Sequence, residues 1–130
     1  MQRTIDDRLA GQGRFEGCAV ITAGHPWTYK EKGEMILPGG QRLAAQRSYL
    51  WEPQPERDAI DISFDDGRPF HTLPLSGGET GHWCDPDQYD VRYDFGDWPQ
   101  WEAVWTVRGP RKDYTMRSWY RSQSLAPAAK

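Results

Sequence analysis

Polar and apolar side chains alternate along most of this chain, and glycine, proline and aspartate interrupt the alternation every few residues. Along one stretch, Trp27, Tyr29 and Glu31 share a face, while Lys30 and Lys32 share the opposite face. Alternation with a period of two predicts half-buried β-strands. The pattern predicts a short helix at residues 5–10 and nine strands, at residues 14–22, 27–37, 41–51, 58–65, 69–74, 79–85, 88–95, 100–108 and 112–121.

The loop between the second and third predicted strands sets their register. A three-residue loop at residues 38–40 (Pro-Gly-Gly) pairs Leu37 with Gln41, so that apolar positions face apolar positions. A register slip of one residue would invert every side chain. This register places Glu31 opposite Arg47, both facing inward, and we therefore predict a structural ion pair between them.

The remaining hairpins follow from the same reasoning. Turns at residues 64–69, 84–89 and 108–111 join strands whose inner faces then match. The predicted cross-strand pairs are Ile62–His71, Cys84–Tyr89, His82–Val91, Val107–Lys112 and Trp105–Tyr114. Consecutive hairpins with almost no helix predict an all-β fold, an up-and-down antiparallel β-barrel of about nine strands. Strands 14–22 and 112–121 would meet to close it.

Composition limits the class of protein. A chain of 130 residues fits one domain, residues 1–130, and is rich in turn and aromatic residues, with Gly 13, Pro 10, Trp 7 and Tyr 6. A net charge of −3 argues against a nucleic-acid partner. The chain has neither a secretory signal nor an apolar run long enough for a membrane span, so we expect a cytoplasmic protein. We expect residues 124–130 to fray.

Five motifs carry a resemblance to a known family: GRFEG (residues 13–17), YKEKG (29–33), FDDGRPFH (64–71), HWCDPDQY (82–89) and GPRKDY (109–114). Together they resemble a family of small bacterial proteins known as a domain of unknown function. The resemblance covers nearly the whole chain. It implies a lipocalin-like barrel of the calycin group and implies no activity.

The inner face of the predicted barrel is unusually polar and aromatic. Such groups are costly to bury without partners, and a barrel of about eight strands encloses side chains or one small ligand. Tyrosine and tryptophan offer a ring face with one hydrogen bond, and arginine can bind an anion. We therefore expect a small amphipathic or aromatic ligand, with an anionic one as an option. The candidate ligand-binding residues are Arg47, Tyr49, His71, His82, Tyr93, Trp105 and Tyr114.

Two other functions remain open. An enzyme could use His71, His82 and Tyr114 for acid–base chemistry in the same lumen. Alternatively, the barrel is filled and acts as an interaction module or homodimer through outward tryptophans such as Trp83 and Trp119, with the segment around Trp98. The Glu31–Arg47 pair and the histidines could also be satisfied structural groups.

Cofactor sites find little support in the sequence. His71, His82, Cys84 and Asp87 have zinc-binding side chains, but their spacing is unusual for a structural zinc site. A haem would need an apolar lumen around its axial histidine. We predict no cofactor and no metal, and we assign no catalytic residue.

Overall fold

Antiparallel strands make up almost all of residues 1–121, the part of the chain that the computed structural model describes. One short 3₁₀ turn, Pro55–Arg57, interrupts them. Residues 124–130, where fraying was expected, lie outside the described residues. The ten strands are β1 (Gln2–Asp7), β2 (Gly11–Thr22), β3 (Trp27–Ile36), β4 (Arg42–Gln54), β5 (Ala59–Phe64), β6 (Pro69–Pro74), β7 (Gly78–Cys84), β8 (Asp87–Asp94), β9 (Trp101–Gly109) and β10 (Lys112–Tyr120).

The strands form one sheet that curls into a nearly closed barrel. Their order in the sheet is β6-β5-β4-β3-β2-β1-β10-β9-β8-β7, and every pair of neighbours is antiparallel. The two outermost strands, β6 and β7, pack against each other, but within residues 1–121 no backbone ladder joins them. We call this gap between β6 and β7 the seam. The prediction of an all-β antiparallel barrel is confirmed.

The predicted helix at residues 5–10 is wrong. Those residues form the end of strand β1 and the turn that follows it. Strand β1 pairs with β2 on one side and with β10 on the other, so β2 and β10 do not meet directly as predicted. Local helix propensity is weak, and pairing with two neighbouring strands overrides it. No helix within the described residues is long and apolar enough to cross a bilayer.

The predicted registers of two hairpins are confirmed. Glu31 lies opposite Arg47, and the amide of Leu37 donates to the carbonyl of Gln41 at 2.9 Å, as the three-residue loop requires. In the next hairpin, Ile62 lies opposite His71.

The predicted registers of the last two hairpins are wrong by two residues. His82 pairs with Tyr89 instead of Val91, and Trp105 pairs with Met116 instead of Tyr114. Correspondingly, Cys84 pairs with Asp87 and Val107 with Tyr114. Both turns contain two residues, at 85–86 and 110–111, so each ladder continues further than predicted. A shift of two keeps every side chain on its predicted face because the side-chain period is two.

The up-and-down order gives the barrel two distinct ends. The turns at residues 37–41, 85–86 and 110–111 lie at one end, which we call the lower end. The loops at residues 75–77 and 95–100 lie at the other, upper end. Strand β4 pairs with β5 only from Tyr49 onward, so residues 42–48 extend past β5 at the lower end.

Two opposed glycines allow β2 and β3 to approach closely. Gly17 and Gly33 pair directly, and each terminates one of the sequence motifs, GRFEG and YKEKG. A Cβ on Gly33 would collide with the carbonyl oxygen of Glu16 and would lie 2.6 Å from the Cα of Gly17. Side chains at either position would force the backbones apart, so the barrel wall requires glycine at both.

Candidate ligand-binding cavity

The barrel encloses a cavity of about 230 Å³. Aromatic rings make up most of its wall, and a few polar and charged side chains interrupt them. The described residues that line the cavity are Arg3, Tyr29, Glu31, Arg47, Tyr49, Trp51, Ile62, Phe64, Phe70, His71, Cys84, Tyr89, Tyr93, Trp101, Ala103, Trp105, Tyr114, Met116 and Tyr120.

Four aromatic residues, which we call the plug, close the cavity toward the upper end. Tyr29 stacks on Trp51 with ring centroids 5.1 Å apart, and Trp101 stacks on Tyr120 at 3.6 Å. The hydroxyls of Tyr29 and Tyr120 lie 2.9 Å apart and form a hydrogen bond that links the two stacks. Burial raises the pKa of Tyr29, and the neighbouring Tyr120 and Glu31 raise it further, so this hydroxyl stays protonated. The plug is therefore neutral and well packed.

Next to the plug lies a buried ion pair that the sequence did not predict. Arg3 binds Glu31 through both terminal nitrogens, at 2.9 and 3.0 Å, and its Nε donates to Ser118 Oγ at 2.7 Å. The side chains of Arg3 and Glu31 are only 4% and 3% exposed. Burial acts to lower the pKa of Arg3, but the hydrogen bond and charge of Glu31 outweigh it, so Arg3 remains charged. Glu31 is therefore neutralised by Arg3.

The predicted Glu31–Arg47 contact is present, but it is longer than the contacts between Glu31 and Arg3. Arg47 Nε lies 3.9 Å from Glu31 Oε1, so the two do interact, but Arg3 holds Glu31 at shorter distances. The Arg47 side chain is also 42% exposed. The sequence analysis missed Arg3 because it assigns residues 1–4 to no element and predicts a helix at residues 5–10. Treated as a strand, that segment would have shown Arg3, Ile5 and Asp7 on one face.

A β-bulge shapes the wall beside the seam. Ile62 pairs with His71 but Ser63 pairs with Pro69, so Phe70 is the extra residue of β6. A bulge lets two consecutive side chains face the same side of a sheet, and both Phe70 and His71 line the cavity. Phe70 stacks on Trp105 at 5.2 Å, and His71 meets the same indole edge-on at 4.9 Å. Strict alternation excludes such a pair, so Phe70 was missed.

His71 is held as a neutral imidazole. Its Nε2 lies 2.7 Å from Tyr93 Oη, within hydrogen-bond distance. Burial lowers the pKa of His71 to about 3, and burial raises the pKa of Tyr93 well above its usual value. The other ring nitrogen of His71, Nδ1, is buried and has no hydrogen-bond partner among the described residues. At neutral pH, both groups are therefore uncharged hydrogen-bonding groups.

The lower end of the cavity is more open, and we call the residues there the mouth: Arg47, Tyr49, Cys84, Tyr89 and Tyr114. Arg47 and Cys84 are exposed, whereas Tyr29 and Trp51 in the plug are buried. Arg47 Nη1 donates to Tyr49 Oη at 3.4 Å. The cavity is therefore more open to solvent at the mouth than at the plug.

The other cation at the mouth, Lys112, already has partners. Its Nζ donates to Tyr89 Oη at 2.9 Å and lies 3.2 Å from Asp87 Oδ2. These two hydrogen bonds raise the pKa of Lys112. Asp87 therefore balances the charge of Lys112.

Six of the seven predicted ligand-binding residues line this one cavity: Arg47, Tyr49, His71, Tyr93, Trp105 and Tyr114. The seventh, His82, is not among its lining residues within the described part of the chain. Its ring packs edge-on against Phe70, with centroids 5.5 Å apart. The bulge at Phe70 puts a bulky ring between His82 and the cavity.

Two arrangements considered from the sequence do not occur within residues 1–121: a cluster of metal-ligating side chains, and a hydrogen-bonded set of His71, His82 and Tyr114. Within that range no group of three or more His, Cys, Asp or Glu residues is placed to hold a metal ion. The set of His71, His82, Cys84 and Asp87 therefore does not form such a group. No hydrogen bond in the described chain joins His71, His82 and Tyr114 to one another.

Trp83 lies at the opposite end of the barrel from Trp98 and from Trp119, which is 41% exposed near the upper end of β10. Trp83 lies beside the 85–86 turn at the lower end and is 59% exposed. Trp98 lies in the 95–100 loop at the upper end and is 69% exposed. The barrel separates them because antiparallel strands alternate between its ends.

Comparisons with known proteins identify a family without an assigned activity. The sequence profile of the DUF6314 family, described as a family of unknown function, matches residues 1–122. Neither the curated proteins nor the solved structures include a significant match to the chain.

Proposed function

Because this chain belongs to the DUF6314 family of unknown function, we propose a function from its cavity: the barrel binds a small amphipathic or aromatic molecule without converting it. The observation that carries the proposal is the ring-walled cavity of about 230 Å³, packed shut by the plug and open at the mouth. Concave, mainly apolar sites with a few polar groups are typical of ligand pockets.

The volume limits the size of the ligand. A dry protein cavity of about 150 Å³ can hold benzene. A space of about 230 Å³ therefore suits a molecule with one or two rings and a small polar substituent. The aromatic walls favour a flat ring because offset and edge-to-face contacts stabilise ring pairs.

The protonation states favour a binder over an acid–base enzyme. An acid–base catalyst works best with a pKa near the working pH. Burial instead holds the pKa of His71 at about 3, and burial raises the pKa of Tyr114. At neutral pH both side chains are uncharged and can form hydrogen bonds. His71 is then not available as a cationic general acid.

The proposal includes the biological setting that the sequence suggests. We propose a lipocalin-like role for the barrel in a bacterial cytoplasm, with a small molecule as its partner and neither nucleic acid nor membrane required. A homodimer is compatible with this role, and sedimentation of the full chain would measure it.

Native mass spectrometry of the protein purified from its own organism tests the proposal. We expect the protein to carry a small molecule that is released on denaturation. Ala103→Leu places extra volume at a buried lining position and should abolish retention. Ala44→Leu adds the same volume at an exposed position of β4, opposite Glu34, and should retain the molecule.

Two results would reject this function. Equal retention by wild type and Ala103→Leu, with both folded by circular dichroism, would mean that the molecule binds outside the cavity. Absence of a retained molecule, together with no binding of the neutral probe 1-naphthamide in calorimetry, would mean that the barrel is simply filled.

A further inference from the structure

The charges along the cavity wall do not cancel. Among the described lining residues, the charged ones are Arg3, Glu31 and Arg47. Arg3 and Glu31 neutralise each other through two short contacts at 2.9 and 3.0 Å. Arg47 is therefore left as one excess positive charge at the mouth. Lys112 does not add a second, because Asp87 pairs with it.

The guanidinium of Arg47 has unused hydrogen-bonding capacity. A guanidinium carries five N–H donors in a planar fork. In the described chain, Arg47 makes one long hydrogen bond, 3.4 Å to Tyr49, and one loose ionic contact, 3.9 Å to Glu31. Glu31 cannot turn fully toward Arg47 without losing its shorter contacts to Arg3. Most donors of Arg47 are therefore available to an acceptor that enters through the mouth.

Two tyrosine hydroxyls lie near this charge. Tyr49 lies within reach of Arg47, and Tyr114 also lines the mouth. Burial and the nearby Tyr89 raise the pKa of Tyr114, while Lys112 and Arg47 oppose the rise. A tyrosine hydroxyl can donate a hydrogen bond to an oxygen of an anion held by Arg47. The planar guanidinium of Arg47, together with the hydroxyls of Tyr49 and Tyr114, suits a group with two acceptor oxygens.

We propose that the ligand is an aromatic monocarboxylate, bound with its ring toward the plug and its carboxylate on Arg47. This inference rests on the proposed binding function and assigns the chemical class of the ligand. A single excess charge suits a monoanion. A phosphate monoester carries close to two negative charges at neutral pH and would need a second unpaired cation.

Calorimetry with a matched set of probes tests the class. 1-Naphthoate, 1-naphthamide and 1-naphthyl phosphate share one ring system and differ in charge. For the full chain at neutral pH, we expect 1-naphthoate to bind at least about ten-fold more tightly than 1-naphthamide, since a hydrogen bond to a charged group contributes on this scale. The phosphate should bind no better than the carboxylate.

Substitutions at Arg47 locate the preference. Arg47→Gln should weaken the binding of 1-naphthoate and leave that of 1-naphthamide unchanged. The two affinities should then lie within about two-fold of each other. Arg47→Lys keeps the charge but loses the fork, so its preference should fall between the two. Arg42→Gln, on the same strand but paired with Glu34 outside the cavity, is the matched control and should keep the full preference.

The outcomes separate the two proposals. Equal binding of 1-naphthoate and 1-naphthamide to wild type would overturn the carboxylate assignment and leave cavity binding intact. Tighter binding of 1-naphthyl phosphate would also overturn it, as would a preference that survives Arg47→Gln. Failure of all three probes to bind would reject both proposals. If Arg47→Gln does not fold, Arg47→Lys still tests the proposal. An unchanged preference for 1-naphthoate in Arg47→Lys would contradict a role for the planar guanidinium.

Discussion

His71 Nε2 and Tyr93 Oη lie 2.7 Å apart and link β6 to β8 across the seam. No backbone ladder joins β6 to β7 within residues 1–121, so side chains close the barrel at this position. Phe70 strengthens the closure through its stacking on Trp105 and its contact with His82. Barrel closure at the seam therefore depends on buried rings and one neutral hydrogen bond.

Removing the Tyr93 hydroxyl should weaken this closure. Tyr93→Phe leaves His71 Nε2 without its partner, in addition to the unpartnered Nδ1. Leaving a buried polar atom unsatisfied costs about 1–3 kcal/mol, so we predict that loss in the free energy of unfolding, measured by urea denaturation at neutral pH. Tyr49→Phe is the control, because its hydroxyl makes only a 3.4 Å contact at the mouth, and it should lose less. Equal losses would contradict a special role for the seam.

The buried imidazole should make stability sensitive to acid. The pKa of His71 is about 3 in the folded protein and near 6.5 in an unfolded chain. Above pH 6.5, the imidazole is neutral in both states and contributes no pH dependence. As the pH falls from 6.5 toward 3, only the unfolded state takes up the proton, so the free energy of unfolding falls by about 1.4 kcal/mol per pH unit.

Replacing His71 isolates this effect from other titrating groups. Between pH 6.5 and 5, wild type should lose about 2 kcal/mol more than His71→Gln, measured from denaturation midpoints at several pH values. His25→Gln, at an exposed loop position, should follow the wild-type curve. Parallel curves for wild type and His71→Gln would show that the imidazole is not held neutral.

Breaking the buried ion pair should be costly only when one partner is left alone. Arg3→Met removes the main charge partner of the Glu31 carboxylate, which is 3% exposed. It should therefore lower the free energy of unfolding by about 3–5 kcal/mol. The double variant Arg3→Met/Glu31→Leu should recover most of that loss, because no unpaired charge is then buried. Arg8→Gln breaks an exposed pair with Asp113 and should change stability little. A double variant as unstable as the single one would contradict this account.

The opposed glycines of β2 and β3 should tolerate no side chain. Gly33→Ala drives a Cβ into the backbone of Glu16 and Gly17, so we predict a loss of at least about 2 kcal/mol in the free energy of unfolding. Gly39→Ala is the control, because a Cβ there meets no atom within 4 Å, and its cost should stay within about 0.5 kcal/mol. Similar stability of the two variants would mean that the strands can separate without cost.

The candidate site shows where sequence reasoning succeeded and where it stopped. Alternation placed Tyr49, Tyr93 and Trp105 on the inner face, and errors of two residues in register did not move any side chain to the other face. The sequence paired Glu31 with Arg47, which contacts it at 3.9 Å, but missed Arg3, because Arg3 comes close only when β1 enters the barrel between β2 and β10.

Alternation with a period of two and the local turn residues were enough to predict strands β2–β10, the antiparallel barrel and the polar-aromatic character of its interior. The sequence did not show that Arg3 neutralises Glu31, that a bulge turns Phe70 inward against His82, or that rings close the seam. These features depend on contacts between strands distant in sequence. Alternation along one strand carries no information about such contacts.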